Sequence, residues 1–244
     1  MFADNDEWQT HVDGLISLNM VMTGGEVDDK SIRHFFLVLE GKRFVLKRLL
    51  DLMSMNRTER RVECLAVIGN VSIKLKDAPA TEAGHDAIRI IIPPLLKICG
   101  DRETSFVPEL ATEKLLVLVD VAKHHNYYLP IHELLSVWLR LSQSMRQCEK
   151  RMGRYATALL EFFRDLELTE EGRVGLLKAD DNIIKAVRSC IHHKAASVRE
   201  IGAEIFCAMD AHSDLCHLAE RLYKTLKDGD IKKRLRSARL NVGK

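Results

Sequence analysis

Four stretches of this 244-residue chain resemble one another and recur at a near-constant spacing. Cys64-Leu65-Ala66-Val67-Ile68-Gly69-Asn70-Val71-Ser72 is followed about 50 residues later by Lys114-Leu115-Leu116-Val117-Leu118-Val119-Asp120-Val121-Ala122. Thr157-Ala158-Leu159-Leu160-Glu161-Phe162-Phe163 and Ile201-Gly202-Ala203-Glu204-Ile205-Phe206-Cys207 come next, each about 45 residues on. A period of this length marks one supersecondary unit repeated, and a unit that cannot bury its apolar face alone must stack on its neighbour. The stretches are apolar over much of a helical circumference, as a helix flanked on several sides has to be. Ala66, Gly69, Ala158 and Ala203 supply small residues where backbones must approach closely.

Composition supports helices as the repeated element. Only 6% of residues are aromatic and five are proline, while Leu, Ala, Lys, Arg and Glu recur throughout. A hydrophobic content of 46% with 30% charged residues is that of a folded chain with a core. The fold class expected is all-α.

Helical spacing and punctuation place the elements. Trp8, Val12, Leu15 and Met22 share a stripe over Asp6–Met22, stopped by Thr23-Gly24-Gly25. Asp28 and Asp29 cap a helix through Leu39, and Gly41 parts it from another over Phe44–Met53. A helix over Arg60–Leu75 leads to a surface loop at Asp77–Gly84. The helix from Asp86 is expected to kink or end near Pro93-Pro94 before Leu95–Cys99. Pro108 and Pro130 open helices to about His124 and over Ile131–Met145. Further helices are expected at Gly153–Leu166, Asp181–His192, Ser197–Met209 and Ser213–Leu226.

Leu65-Ala66-Val67-Ile68-Gly69-Asn70-Val71-Ser72 resembles the A-L-x-x-L-x-N-L-S signature of an armadillo third helix. Ala196-Ser197-Val198-Arg199-Glu200-Ile201-Gly202-Ala203 resembles the V-R-x-x-A opening of a HEAT second helix. The resemblance spans residues 28–228 and implies a right-handed α-solenoid of about four to five armadillo/HEAT-like repeats. Residues 1–244 would form a single domain, with 1–25 as an N-terminal capping helix and 229–244 as a basic C-terminal helix or tail. Importin-like members hold extended peptides on asparagines of successive third helices. Here Asn70 matches, Asp120 takes the next position and Thr157–Phe163 offers no equivalent, so recognition of nuclear signals by that ladder is not expected.

A second resemblance is to the C-terminal armadillo-like region of ARID-family subunits of BAF-type chromatin remodellers. It is carried by Leu39-Glu40-Gly41-Lys42-Arg43-Phe44, by Glu63–Ser72, and by Arg154–Leu168 followed by an acidic turn and Arg173. No ARID DNA-binding segment occurs in the 244 residues.

What the repeat family implies about function is protein binding without catalysis. G-x-x-x-x-G-K-[ST], G-x-S-x-G and H-E-x-x-H are absent, and His132-Glu133 lacks a second histidine, so no catalytic residue and no cofactor is expected. Adjacent pairs such as His124-His125 and His192-His193 point about 100° apart on a helix and chelate poorly. His212 and Cys216, with His217 nearby, lack the four ligands of a structural zinc site, so no metal is expected either. The six cysteines contain no C-x-x-C pair and read as free, largely buried thiols.

Charge points to local rather than global partners, because the formal net charge is only +2. Arg57, Arg60 and Arg61 form one cluster, broken by Glu59 and Glu63; Arg146, Lys150, Arg151 and Arg154 form another. On a stacked array both could line a concave face for an acidic peptide or helix, with Asn70 and Asp120; a solvated ridge is the alternative. On the groove reading, reversing the charge of Arg60 and Arg61 weakens partner capture without unfolding the chain. Lys232, Lys233, Arg234, Arg236, Arg239 and Lys244 follow the last acidic residue, Asp230. That run fits a nuclear localisation signal, a phosphate-binding patch or a solvated end. The expectation is a scaffold or adaptor that assembles a multiprotein complex, nuclear or cytoplasmic with the nucleus favoured. The rival is a nucleic-acid-associated protein using the basic run and Arg57–Arg61 for phosphate contacts. No apolar run reaches a membrane span, and no small-molecule substrate is expected.

Overall fold

The computed structural model describes residues 16, 44–53, 57–77, 82–100, 106–125, 149–164, 166–168, 170–177, 179–227 and 229–242, and no strand occurs among them. The expected helices over Asp6–Met22, through His34–Leu39 and over Ile131–Met145 lie outside the described residues, apart from helical Ile16. The fold is all-α, and its contacts gather in two compact units, Met1–His125 and Asn126–Lys244.

The first unit contains α1 (Phe44–Met53), α2 (Thr58–Asp77), α3 (Glu82–Cys99) and α4 (Val107–His124). α2 packs on α1 and α4, and α4 also packs on α3. Leu65, Ile68, Ile88, Ile91, Leu115 and Leu118 are fully shielded where these faces meet. Burying each such side chain contributes about 1.5–3 kcal/mol, and this holds helices whose ends carry few side-chain caps. Buried hydroxyls are satisfied within their own helices: Ser72 Oγ donates to the Ile68 carbonyl at 2.7 Å, and Thr112 Oγ1 to that of Pro108 at 2.8 Å.

The second unit contains α5 (Glu149–Phe163), α6 (Glu170–Leu177), α7 (Asp180–Ile191), α8 (Ala196–Ala211), α9 (Cys216–Thr225) and α10 (Gly229–Val242). α8 is its hub, in contact with α5, α7, α9 and α10. α7 and α8 approach closely at Gly202, where an added Cβ would lie 2.9 Å from Cys190 Cβ and from the Ile191 backbone nitrogen. Arg199 holds the turn into α8, its guanidinium donating to the carbonyls of His193 and Lys194. The V-R pair of the HEAT-like opening thus has a physical role: Val198 is buried and Arg199 closes the turn.

The four self-similar stretches fall on α2, α4, α5 and α8, and within each unit the two copies pack on one another. The same histidine device marks both pairs. His125, just past α4, donates from Nε2 to the Leu75 carbonyl near the end of α2, at 2.7 Å. His212, just past α8, donates from Nε2 to the Leu166 carbonyl beyond α5, also at 2.7 Å. These bonds span 50 and 46 residues, close to the repeat spacing. His212 Nδ1 accepts from the Asp214 N–H at 3.1 Å, which places the ring proton on Nε2 and fixes the tautomer.

Several expectations need correction. α3 runs without interruption through Pro93 and Pro94. Ile91, Ile92, Leu95 and Leu96 are completely buried on both sides of the pair, which offsets two lost backbone bonds. The loop expected at Asp77–Gly84 is shorter, because α2 reaches Asp77, α3 starts at Glu82 and Gly84 is buried. The acidic turn expected between Leu168 and Arg173 instead opens the short helix α6, seated by buried Leu176. Of the two forms expected for the basic segment, helix or tail, the structure has a helix from Gly229 to Val242, anchored by Ile231 and Leu235, one turn apart and both buried.

Candidate partner-binding groove

In the second unit, α5, α8 and α10 border a groove of about 770 Å³. α8 supplies its floor through Glu200, Ala203, Glu204, Cys207, Ala208 and Ala211, which recur at three- and four-residue steps along one stripe. Leu160 and Phe163 at the end of α5 add apolar surface, and Arg234, Ser237 and Ala238 of α10 form the opposite wall. The groove exists because alanine, serine and cysteine stand where larger side chains would close the gap between α8 and α10.

Its rim carries both signs of charge. Arg164, just past α5, lies 3.6 Å from Glu161 and 3.8 Å from Glu204, a bridge onto α8. Glu200 and Arg234 are exposed and make no ion pair among the described residues. An apolar floor between an acidic wall and a basic one is the surface that an amphipathic segment fits.

The basic residues singled out in the sequence are dispersed by the helix that carries them. Lys232 lies 5.1 Å from the Tyr223 ring centre, and Arg236 lies 5.9 Å from it while donating from Nε to the Tyr223 hydroxyl at 2.7 Å. Arg234 lines the groove, and Lys233 is exposed to solvent. The side chain of Arg239, and Lys244, lie outside the described residues.

The other candidates are placed as follows. Arg57 is exposed at the start of α2, but Arg60 and Arg61 are buried, at 8% and 4% exposure. Asn70 is half-buried on α2, and Asp120 of α4 accepts a 2.6 Å ion pair from Lys76. Arg151 is buried and Arg154 half-buried on α5, so the two arginine clusters fall in different units. Arg146 and His132-Glu133 lie outside the described residues. Sequence reasoning missed the α8 stripe because its apolar members read as core.

Among the described residues no group of three or more His, Cys, Asp or Glu side chains is placed to hold a metal ion. Both ring nitrogens of His212 are engaged in hydrogen bonds, and His217 lies 3.7 Å from Asp180. The described cysteines are free; Cys64, Cys99, Cys190 and Cys207 are buried, and Cys216 is partly exposed. Burial pushes the Cys64 and Cys190 thiols up from 9.0 to about 12, so neither is a ready nucleophile. No described helix is long and apolar enough to cross a membrane.

No protein-family profile matches the chain, and no curated protein matches it. Among solved structures, one of a microtubule polymerase with a TOG domain array, described as the structural basis of tubulin recruitment and assembly, aligns with a TM-score of 0.67 at 12% identity. The alignment covers 94% of this chain and 43% of that one, so this chain spans under half its length. A computationally designed armadillo repeat protein for modular peptide recognition aligns at a TM-score of 0.46 and 12% identity, covering 93% of this chain and 90% of the other. The polymerase alignment, with the stacked repeat helices, defines the class: an all-α helical-repeat protein with an armadillo/HEAT-like α-solenoid fold.

Proposed function

We propose that this protein is a non-enzymatic scaffold whose second unit captures an amphipathic helix or extended segment of a partner protein. The observation that carries the reading is the groove between α5, α8 and α10, apolar along its floor, with Glu200 and Glu204 facing Arg234 across it. A fitting segment presents an apolar stripe flanked by a basic residue toward α8 and an acidic residue toward α10. Two arginines, Arg164 and Arg234, balance the two glutamates, so the groove offers a polyanion no net positive charge, which favours a protein segment over nucleic acid at this site.

Ala208→Trp fills the groove from a half-buried position, and Arg234→Glu reverses its basic wall. A partner retained by the natural chain through a high-salt wash and lost by both variants supports the reading. Capture unchanged by both sinks it. The solved TOG-domain protein recruits tubulin, so purified tubulin belongs beside nuclear and cytosolic extracts in the assay. Membership of a chromatin-remodelling complex, and with it nuclear location, is the narrower proposal; it rests on the quoted stretches and the basic segment. Salt-resistant recovery of remodeller subunits supports it, and recovery of one cytosolic complex retires it.

A further inference from the structure

A second cleft, of about 510 Å³, lies at the C-terminal end of α7 and shares no lining residue with the groove. Lys185, Arg188 and His192 line it from one face of α7, at steps of three and four residues, and Lys194 joins them from the turn beyond. All four side chains are exposed, none has an ion-pair partner among the described residues, and no described acidic residue lines the cleft. Buried Met152 and His193 form its floor, with His193 Nδ1 accepting the Ala195 N–H at 3.2 Å to hold the turn.

Helix-dipole complementarity accounts for part of this cluster, since cations favour the last turn of a helix. It does not account for Lys185, which stands six residues before the end of α7, beyond the reach of that effect. The side chains from Lys185 to His192 are spread over roughly 10 Å of helix, a length that an extended segment covers in about three residues. Their positions form a row along the helix, which suits charges spaced along an extended segment. No aromatic ring other than the histidines lines the cleft, so it offers no platform for stacked bases.

We propose that this cleft binds an acidic, carboxylate-rich extended segment of a partner protein, with Lys185, Arg188, His192 and Lys194 as its contacts. The test is fluorescence anisotropy of fluorescein-labelled hexaglutamate against the whole 244-residue chain, beside a short labelled DNA duplex. Lys185→Glu with Arg188→Glu is expected to weaken hexaglutamate binding by about tenfold or more, and Ala208→Trp in the groove to leave it unchanged. Circular dichroism checks that the double variant keeps its helix content, and Lys185→Gln with Arg188→Gln provides a milder pair showing the same direction. Failure of hexaglutamate to bind, or equal binding by the double variant, overturns the proposal. Tighter binding of the duplex through the same residues also overturns it, in favour of a phosphate ligand. The groove reading survives any of these results, because its own variants lie elsewhere.

Discussion

Replacing Gly202 with alanine separates backbone contact from helix propensity. An added Cβ would sit 2.9 Å from Cys190 Cβ and the Ile191 nitrogen, and 3.0 Å from the Cys190 carbonyl carbon. Ordinary contact begins near 3.4 Å, so α7 and α8 must part by about half an ångström, and two of the three atoms are backbone that cannot rotate away. Overpacking of this kind costs about 1–3 kcal/mol, against a gain of about 1 kcal/mol from alanine over glycine inside a helix. Gly153 of α5 is the control, because nothing lies within 4 Å of its added Cβ and only the propensity gain remains. The difference between Gly202→Ala and Gly153→Ala therefore isolates the clash. At about 2–4 °C per kcal/mol for a chain of this size, the first should melt about 2–12 °C below the second. Gly69→Ala should fall between them, since its neighbours at 3.0 and 3.1 Å are the mobile end carbons of Lys114. Thermal unfolding followed by circular dichroism reads all three. A Gly202→Ala protein melting at or above Gly153→Ala would refute the close-packing account of the α7–α8 contact.

Three further outcomes are expected. Charge reversal at Arg60 or Arg61 places a carboxylate where a cation is now buried, and should cost about 3–5 kcal/mol; a urea midpoint unchanged from the natural chain would return these residues to the surface-binding role. His212→Phe removes the donor to the Leu166 carbonyl and the acceptor for Asp214 N–H, with an expected loss of about 1–3 kcal/mol by urea titration, whereas no loss would make the bond incidental. The Cys64 and Cys190 thiols remain protonated in the folded chain to about pH 12 but ionise near 9.0 when unfolded, so the unfolded state binds fewer protons between those values. Stability should fall across that window by up to about 1.4 kcal/mol per pH unit for each thiol, and serine at both positions should flatten the decline.

The parts of the fold legible in advance were those whose apolar pattern repeats. α2, α4, α5 and α8 could be found because each needs apolar residues on several faces, and α1 because Gly41 and a leucine-rich run frame it. α6 escaped because two glycines and two acidic residues in eight positions mimic a turn, and a single buried leucine outweighs them. Continuity through Pro93-Pro94 depends on isoleucines and leucines meeting α4, a tertiary effect invisible to local rules. Of the charge clusters most visible in the sequence, Arg60, Arg61 and Arg151 are buried, and Lys232 and Arg236 rest on Tyr223, placements that linear order does not reveal. The row Lys185, Arg188 and His192 had a readable signal in its helical spacing, but its residues are interleaved with core positions and so look unremarkable in linear order.

The histidine bonds between repeat copies set a schedule for a chain that emerges from a ribosome one residue at a time. The Leu75 carbonyl waits 50 residues for His125, and that of Leu166 waits 46 for His212. At synthesis rates of about 5–20 residues per second, each helix end stays open for roughly 2–10 seconds before its own closing donor exists. For that interval any other donor in the cell competes for it, and within each unit the first copy gains this bond only when the second has been made.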